Sequence, residues 1–264
     1  DDPDMVRNQL ENEQAAVPGH GLVRNAGSAD AGGLSPCYSA LRHSPFTAIQ
    51  PVSHFLQTHQ LPLLTGAQNM HEADQGAWTG EISAAMLAET GATLVELGHS
   101  ERRAAFNESD AAINRKVHSA LGHGLRPLIC IGDSAEEKRW QVSRESVVRQ
   151  MKIALYGLSH QQALRTLIAY EPVWAIGEHG TPASPQEAGV IHQALRQALC
   201  ERFGHETGTR IPLLYGGSVT LQNAVELLRQ QEINGLFIGR AAWDAQGYCD
   251  IVQRVTQEFI LQAQ

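Results

Sequence analysis

Thr93-Leu94-Val95-Glu96-Leu97-Gly98-His99-Ser100-Glu101-Arg102-Arg103 is the stretch that decides the fold. A mostly apolar run ends at a glycine and breaks into dense polar chemistry, the signature of a buried strand whose carboxyl end opens into a loop. Leu167–Tyr170 does the same, running into Glu171-Pro172-Val173-Trp174-Ala175-Ile176-Gly177. Working outward, four more short apolar runs read as strands: Leu63–Gln68, Pro127–Ile131, Ile211–Tyr215 and Leu236–Ile238. Between them lie stretches with apolar residues at three- and four-residue spacing, predicted as helices over Ile82–Thr90, Ala111–Leu121, Glu136–Leu155, Pro185–Phe203, Leu221–Arg229 and Cys249–Gln262. Ser184 and Thr220 are suited to N-caps, and Gly122 with Gly124, and Gly204, to stops. This rhythm is that of βαβ units on a parallel sheet. In a chain of 264 residues it predicts one α/β domain, a closed (β/α)8 barrel with its chemistry at the carboxyl ends of the strands.

Two strands are missing from that count. They belong before Leu63, yet residues 1–45 hold no Ile, Phe or Trp and show no sustained periodicity, so the first two strands are not recognisable there. By composition residues 1–44 read as an aberrant or disordered leader, and 45–264 as the barrel. The net charge of -8 offers no basic stripe for a nucleic-acid backbone. No run approaches the roughly 18 apolar residues of a membrane span. Asp1, Asp2 and Asp4 are the reverse of a basic signal-peptide start, so the expectation is a cytoplasmic chain. Cys37, Cys130, Cys200 and Cys249 are far apart, and no metal site or disulfide framework is expected from them.

Taken singly, the candidate residues have ordinary readings. His99 suits a hydrogen-bonded histidine at a helix start, Glu171 an ion pair with an arginine, and the glycines of Tyr215-Gly216-Gly217-Ser218-Val219 and Gly235-Leu236-Phe237-Ile238-Gly239-Arg240 tight turns. Their order on successive strand ends points further. A histidine, a carboxylate and then two small-residue loops match acid–base chemistry beside an anion site built from backbone N–H groups.

Gly98–Arg103, Ala169–Gly177 and Tyr215–Val219, with Gly66-Ala67-Gln68-Asn69 and Thr79-Gly80-Glu81 upstream, resemble triosephosphate isomerase over about residues 45–264. The resemblance implies a TIM barrel that isomerises a small phosphorylated sugar, most readily glyceraldehyde 3-phosphate and dihydroxyacetone phosphate, through an enediolate and without metal or cofactor. It implies Glu171 as the base and His99 as a neutral electrophile, its pKa held low by the helix that follows, as the family is known to do. Glu101 supports His99 from behind. Trp174–Ala183 matches a mobile lid, and Gly177, Ser218 and Gly239 match phosphate contacts. Gln68–Glu81 resembles an interlocking homodimer loop, with Thr79 of one subunit reaching the other's active site.

Two departures stand out. The family carries an Asn-x-Lys at the end of its first strand, and the earliest lysine here is Lys116, followed by Lys138 and Lys152. If Arg7–Glu13 is encoded CGG AAC CAA CTG GAA AAT GAA and Gln14 opens on C, a one-base shift spells Gly-Thr-Asn-Trp-Lys-Met-Asn. Residues 6–44 are therefore expected to be a frameshifted reading, and the chain as written to be impaired, a sugar-phosphate binder being the rival from another class. The second departure is the lid tip Gly177-Glu178-His179-Gly180-Thr181-Pro182-Ala183 together with Arg240 and Trp243-Asp244. Both resemble the branch of the family that acts on erythrulose phosphates, the alternative substrate. Arg240 could add a bidentate phosphate contact.

Overall fold

The computed structural model describes residues 20–24, 38–176 and 180–259, the first group and residues 38–42 by their backbone alone. Eight strands close into a barrel in sequence order: β1 His20–Arg24, β2 Tyr38–Ser44, β3 Leu63–Ala67, β4 Leu94–Leu97, β5 Arg126–Ile131, β6 Leu167–Tyr170, β7 Leu213–Tyr215 and β8 Gly235–Ile238. From β2 to β8 every neighbouring pair is parallel. The strand runs read from the sequence fall on β3 to β8. The two strands that sequence pattern could not locate are β1 and β2, inside the segment expected to be a leader. β1 pairs antiparallel with both β2 and β8, with His20 opposite Arg42 and Ile238. No periodic pattern marks it because closure asks only for backbone N–H and C=O partners, which any non-proline sequence supplies. The residues between β1 and β2, and those before His20, lie outside the described part, and the frameshift expectation falls largely on them.

Successive side chains of a strand point to opposite faces, and this sorts the core into two shells. Leu64, Leu94, Leu128, Cys130, Leu167, Ala169, Leu214 and Phe237 fill the lumen. Val95, Leu97, Ile129, Ile131, Ile168, Tyr170, Leu213, Tyr215, Leu236 and Ile238 face the helices. Both faces of β4 to β8 are thus buried, which is why these strands read as apolar runs without alternation.

The helices are α1 Phe46–Thr58, α2 Ala84–Glu89, α3 Ser100–Ala105, α4 Asp110–Gly122, α5 Ala135–Arg139, α6 Ser143–Ala154, α7 His160–Ala163, α8 Pro185–Gly208, α9 Ala224–Leu228 and α10 Ala245–Phe259. The single helix predicted over 136–155 is two, because Gln141 takes a left-handed φ of 60° between them and Ser134 and Glu137 cap the first with a reciprocal box. Ser184 and Glu187 cap α8 the same way. Gly204 bends α8 at φ 72° rather than ending it. Thr220 hydrogen-bonds reciprocally with Asn223, which takes the cap position of α9. Among the described residues no helix is long and apolar enough to cross a membrane.

Candidate functional site

The carboxyl end of β4 turns sharply at Gly98, whose φ of +77° suits glycine and where a Cβ would come within 2.7 Å of Ile113 Cδ1. Arg103 locks this turn to β5. Its Nε donates to Gly98 O at 2.6 Å, its Nη2 to Cys130 O at 3.1 Å, and its Nη1 to Asp110 at 2.6 Å. The turn delivers His99, 6 % exposed, to the N-cap of α3, where Nδ1 accepts from the Glu101 backbone N–H at 3.3 Å. A nitrogen that accepts carries no proton, so this contact favours the tautomer with hydrogen on Nε2.

Glu171, also 6 % exposed, arrives from the end of β6. Its backbone N–H donates to Ile131 O at 2.8 Å, and Gly216 N–H donates to Tyr170 O at 2.8 Å. Close packing of these strand ends requires glycine on both sides: a Cβ on Gly132 would lie 2.1 Å from Glu171 O, and one on Gly216 would lie 2.9 Å from Glu171 Cγ. Glu171 Oε1 then stands 3.6 Å from His99 Nε2, and Oε2 is buried without a hydrogen-bond partner. Slightly beyond hydrogen-bond reach, the pair leaves both groups available to a third atom. Burial first, then the Glu171 and Glu96 carboxylates, push the Cys130 thiol well up, so it stays protonated.

The electrostatics of His99 depart from the low pKa that the resemblance implies. Burial lowers it, but Glu171 in the first place and Glu96 after it outweigh burial and raise the imidazole to about 10. The Glu101 N–H at Nδ1 opposes that second proton. Glu101 itself is an exposed carboxylate with Oε2 at 3.7 Å from His99 Nδ1.

Asp133, past the end of β5, is a group that pattern reading missed. Buried, it accepts from Tyr170 Oη at 2.9 Å, Trp174 Nε1 at 3.0 Å and Ser143 Oγ at 2.6 Å. It thereby ties the 3₁₀ turn at Val173–Ala175, where the segment expected to form a lid begins, to β5, β6 and α6. Ser218 Oγ holds the other edge of that turn by donating to Ala175 O at 2.6 Å. Lys138 lies over the Trp174 ring, 3.2 Å from its centroid, and 3.3 Å from Glu187. Gly177 lies outside the described residues. Ser218, in a left-handed conformation at φ 49°, and Gly239 follow the adjacent strands β7 and β8, and exposed Arg240 opens the 3₁₀ turn after β8. The second missed residue is Glu96, 2 % exposed within β4. An acid in the apolar run Leu94-Val95-Glu96-Leu97 was its visible signal.

The lysine that the resemblance calls for has no substitute among the three in the chain. Lys116 on α4 is buried against Glu108 and donates to Asn69 Oδ1 at 2.9 Å, Lys138 is on α5, and Lys152 is on α6. No group of three or more His, Cys, Asp and Glu among the described residues is arranged to hold a metal ion.

Residues 35–255 match the profile of the triosephosphate isomerase family. The chain belongs to the triosephosphate isomerase family. It is an isomerase by that membership, and its motifs at His99 and Glu171 sit on the matched span. L-erythrulose-1-phosphate isomerase of Rhizobium rhizogenes is 47% identical over 80% of this chain and 78% of that protein. The enzyme of the same name from Brucella abortus is 45% identical over 86% of each. Triosephosphate isomerase of Protochlamydia amoebophila is 43% identical over 83% of this chain and 82% of its own. Among solved structures, triosephosphate isomerase from Bartonella henselae superposes with a TM-score of 0.72 at 37% identity, covering 81% of this chain and 86% of that one.

Proposed function

We propose that the chain interconverts four-carbon ketose phosphates, moving a carbonyl one position along an erythrulose phosphate through an enediolate. The observation that carries the chemistry is the buried pair of His99 Nε2 and Glu171 Oε1 at 3.6 Å, on strand ends held by glycine contacts. In this scheme Glu171 takes the proton from C3 of erythrulose 1-phosphate. The C–H electron pair becomes the C2–C3 double bond, and the C2 carbonyl oxygen is stabilised and protonated from His99 Nε2. The imidazole recovers a proton from the C3 hydroxyl, and Glu171 returns its proton to C2. The product carries its ketone at C3, which makes it erythrulose 4-phosphate, with no net redox change. Ser218 and Gly239 with Gly177 hold the phosphate by small side chains and backbone N–H groups, and Arg240 adds a cation.

Triose phosphates, the substrates first suggested by the motifs, take second place. The cited erythrulose-phosphate relatives are 45% and 47% identical against 43% for the cited triose enzyme, and Arg240 with the lid tip supports the same branch. A homodimer through Gln68–Glu81 belongs to the same proposal. Residues 74–81 of that loop are exposed, Trp78 and Thr79 among them. Non-catalytic sugar-phosphate binding is the second reading, favoured by the placement of all three lysines on helices. The ratio of kcat/KM on erythrulose 1-phosphate to that on glyceraldehyde 3-phosphate is the test. A ratio well above one is expected. A ratio below one returns the chain to the triose reaction, and phosphate-analogue binding with no turnover of either leaves it a binder.

A further inference from the structure

The lumen of the barrel carries one acid that the isomerisation above does not use. β4 sends Leu94 inward and Val95 and Leu97 outward, so Glu96 points into the lumen one layer above Leu94, toward the rim that bears His99. Its strand partner is Leu128, and the next lumen residue on β5 is Cys130, whose thiol feels the charge of both Glu171 and Glu96. Glu96 Oε2 is buried and has no hydrogen-bond partner. His43, at the end of β2, faces it with Nδ1 at 3.9 Å, too far for a hydrogen bond. Native proteins rarely leave such an oxygen unmet, because its desolvation goes uncompensated, so one that lies beside a reaction site calls for a ligand atom.

We infer that Glu96 selects the four-carbon over the three-carbon substrate by holding the terminal hydroxymethyl oxygen of the longer chain. This rests on the four-carbon reading above. The two substrates differ at the carbon that Glu171 deprotonates: a triose phosphate bears a hydrogen where a tetrulose phosphate bears CH2OH. In this assignment the extra hydroxyl lies next to the Glu171 carboxylate and toward the lumen, where the apolar inward residues of β4 to β7 are Leu94, Leu128, Cys130, Leu167, Ala169 and Leu214. A lumen of that composition would strand the hydroxyl. Glu96 meets it. Burial lifts the Glu96 carboxyl to about 8, so near neutral pH it holds a proton and can both donate to and accept from an alcohol. Once ionised, above that value, it also acts on His99, which places it within electrostatic reach of the reacting groups. A site built to hydrogen-bond a substrate hydroxyl discriminates strongly against the analogue that lacks it, because the site's own polar group is then left unpaired.

Calorimetric titration of the full chain with L-erythrulose 1-phosphate and with dihydroxyacetone phosphate reads this preference whether or not turnover is fast. Wild type is expected to bind the four-carbon ligand at least about 10-fold more tightly. Glu96→Leu is expected to cut that ratio by about 10-fold or more, and Glu96→Gln, which keeps a donor and an acceptor, by less than about 3-fold. An unchanged ratio in Glu96→Leu, or equal weakening of both ligands, overturns the role of Glu96 while leaving the four-carbon reading intact. A wild-type ratio near one, or binding of neither ligand, overturns the four-carbon reading itself and the inference with it. Should Glu96→Leu fail to fold, wild type labelled with 13C-glutamate decides. The Glu96 carboxyl resonance, assigned by its loss in Glu96→Gln, is expected to move with erythrulose 1-phosphate and not with dihydroxyacetone phosphate. Equal movement, or none, overturns the role.

Discussion

Between β4 and β7 the strands run parallel, and their carboxyl ends bring His99, Glu171 and Ser218 to one rim of the barrel; between β8 and β2 the ring is closed by β1, which runs antiparallel to both neighbours. Both arcs satisfy their backbone hydrogen bonds. Only one has the direction that a (β/α)8 site uses, in which each strand leaves its carboxyl end at the catalytic face. β1 turns its first residue, His20, toward that face, opposite Ile238 near the end of β8. Closing a barrel therefore constrains a strand far less than supplying a site does. A strand can complete the wall while contributing nothing to the charge that the reaction develops.

The comparison predicts its largest effect at β1. Replacing residues 6–44 by the in-frame reading, which carries Asn-x-Lys, is expected to raise kcat/KM by about 100- to 1000-fold, since it restores a cation where negative charge develops. Light scattering on the same pair of proteins is expected to show a homodimer after repair and none before. A soluble, active dimer from the unrepaired chain would erase the distinction between the arcs.

Within the intact arc, Glu171→Asp in the repaired chain is expected to lower kcat by about 100-fold with little change in thermal midpoint, because the carboxylate withdraws by one methylene from the substrate carbon. His99→Gln should likewise lose rate and keep the fold, and loss of folding instead would make His99 structural. Gly216→Ala probes the same carboxylate from behind. The added Cβ meets Glu171 Cγ at 2.9 Å, and a drop in kcat of roughly 10-fold, with KM little changed, is expected from the displaced side chain.

The smallest effect concerns pH. Folding lifts Glu96 from 4.5 to about 8 through burial, so between those values the folded chain holds a proton that the unfolded chain releases. Its stability must fall as pH rises through that window. Glu96→Gln lacks the titration, so its thermal midpoint should gain on wild type from pH 5 to pH 8, by at least about 3 °C in calorimetry. Parallel curves would mean that the acid is not held in the lumen as the structure has it.

β3 to β8 and the order of their strand-end chemistry could be read from the chain because both signals are local. A strand buried on two faces is a short apolar run, and its carboxyl end is marked by the abrupt change at Gly98, at Glu171 and at Gly216. Ser184 could be read as a cap for the same reason, since the helix it starts follows directly in the chain. The direction of β1, the three donors converging on Asp133, the inward aim of Glu96 and the raised pKa of His99 were out of reach. Each depends on groups far apart in the chain: His20 beside Ile238, Asp133 beside Trp174, Glu96 and Glu171 around His99. Periodicity records which faces of an element meet water. Hydrogen bonds and charge–charge forces depend on distance through space, and only the closed barrel sets those distances.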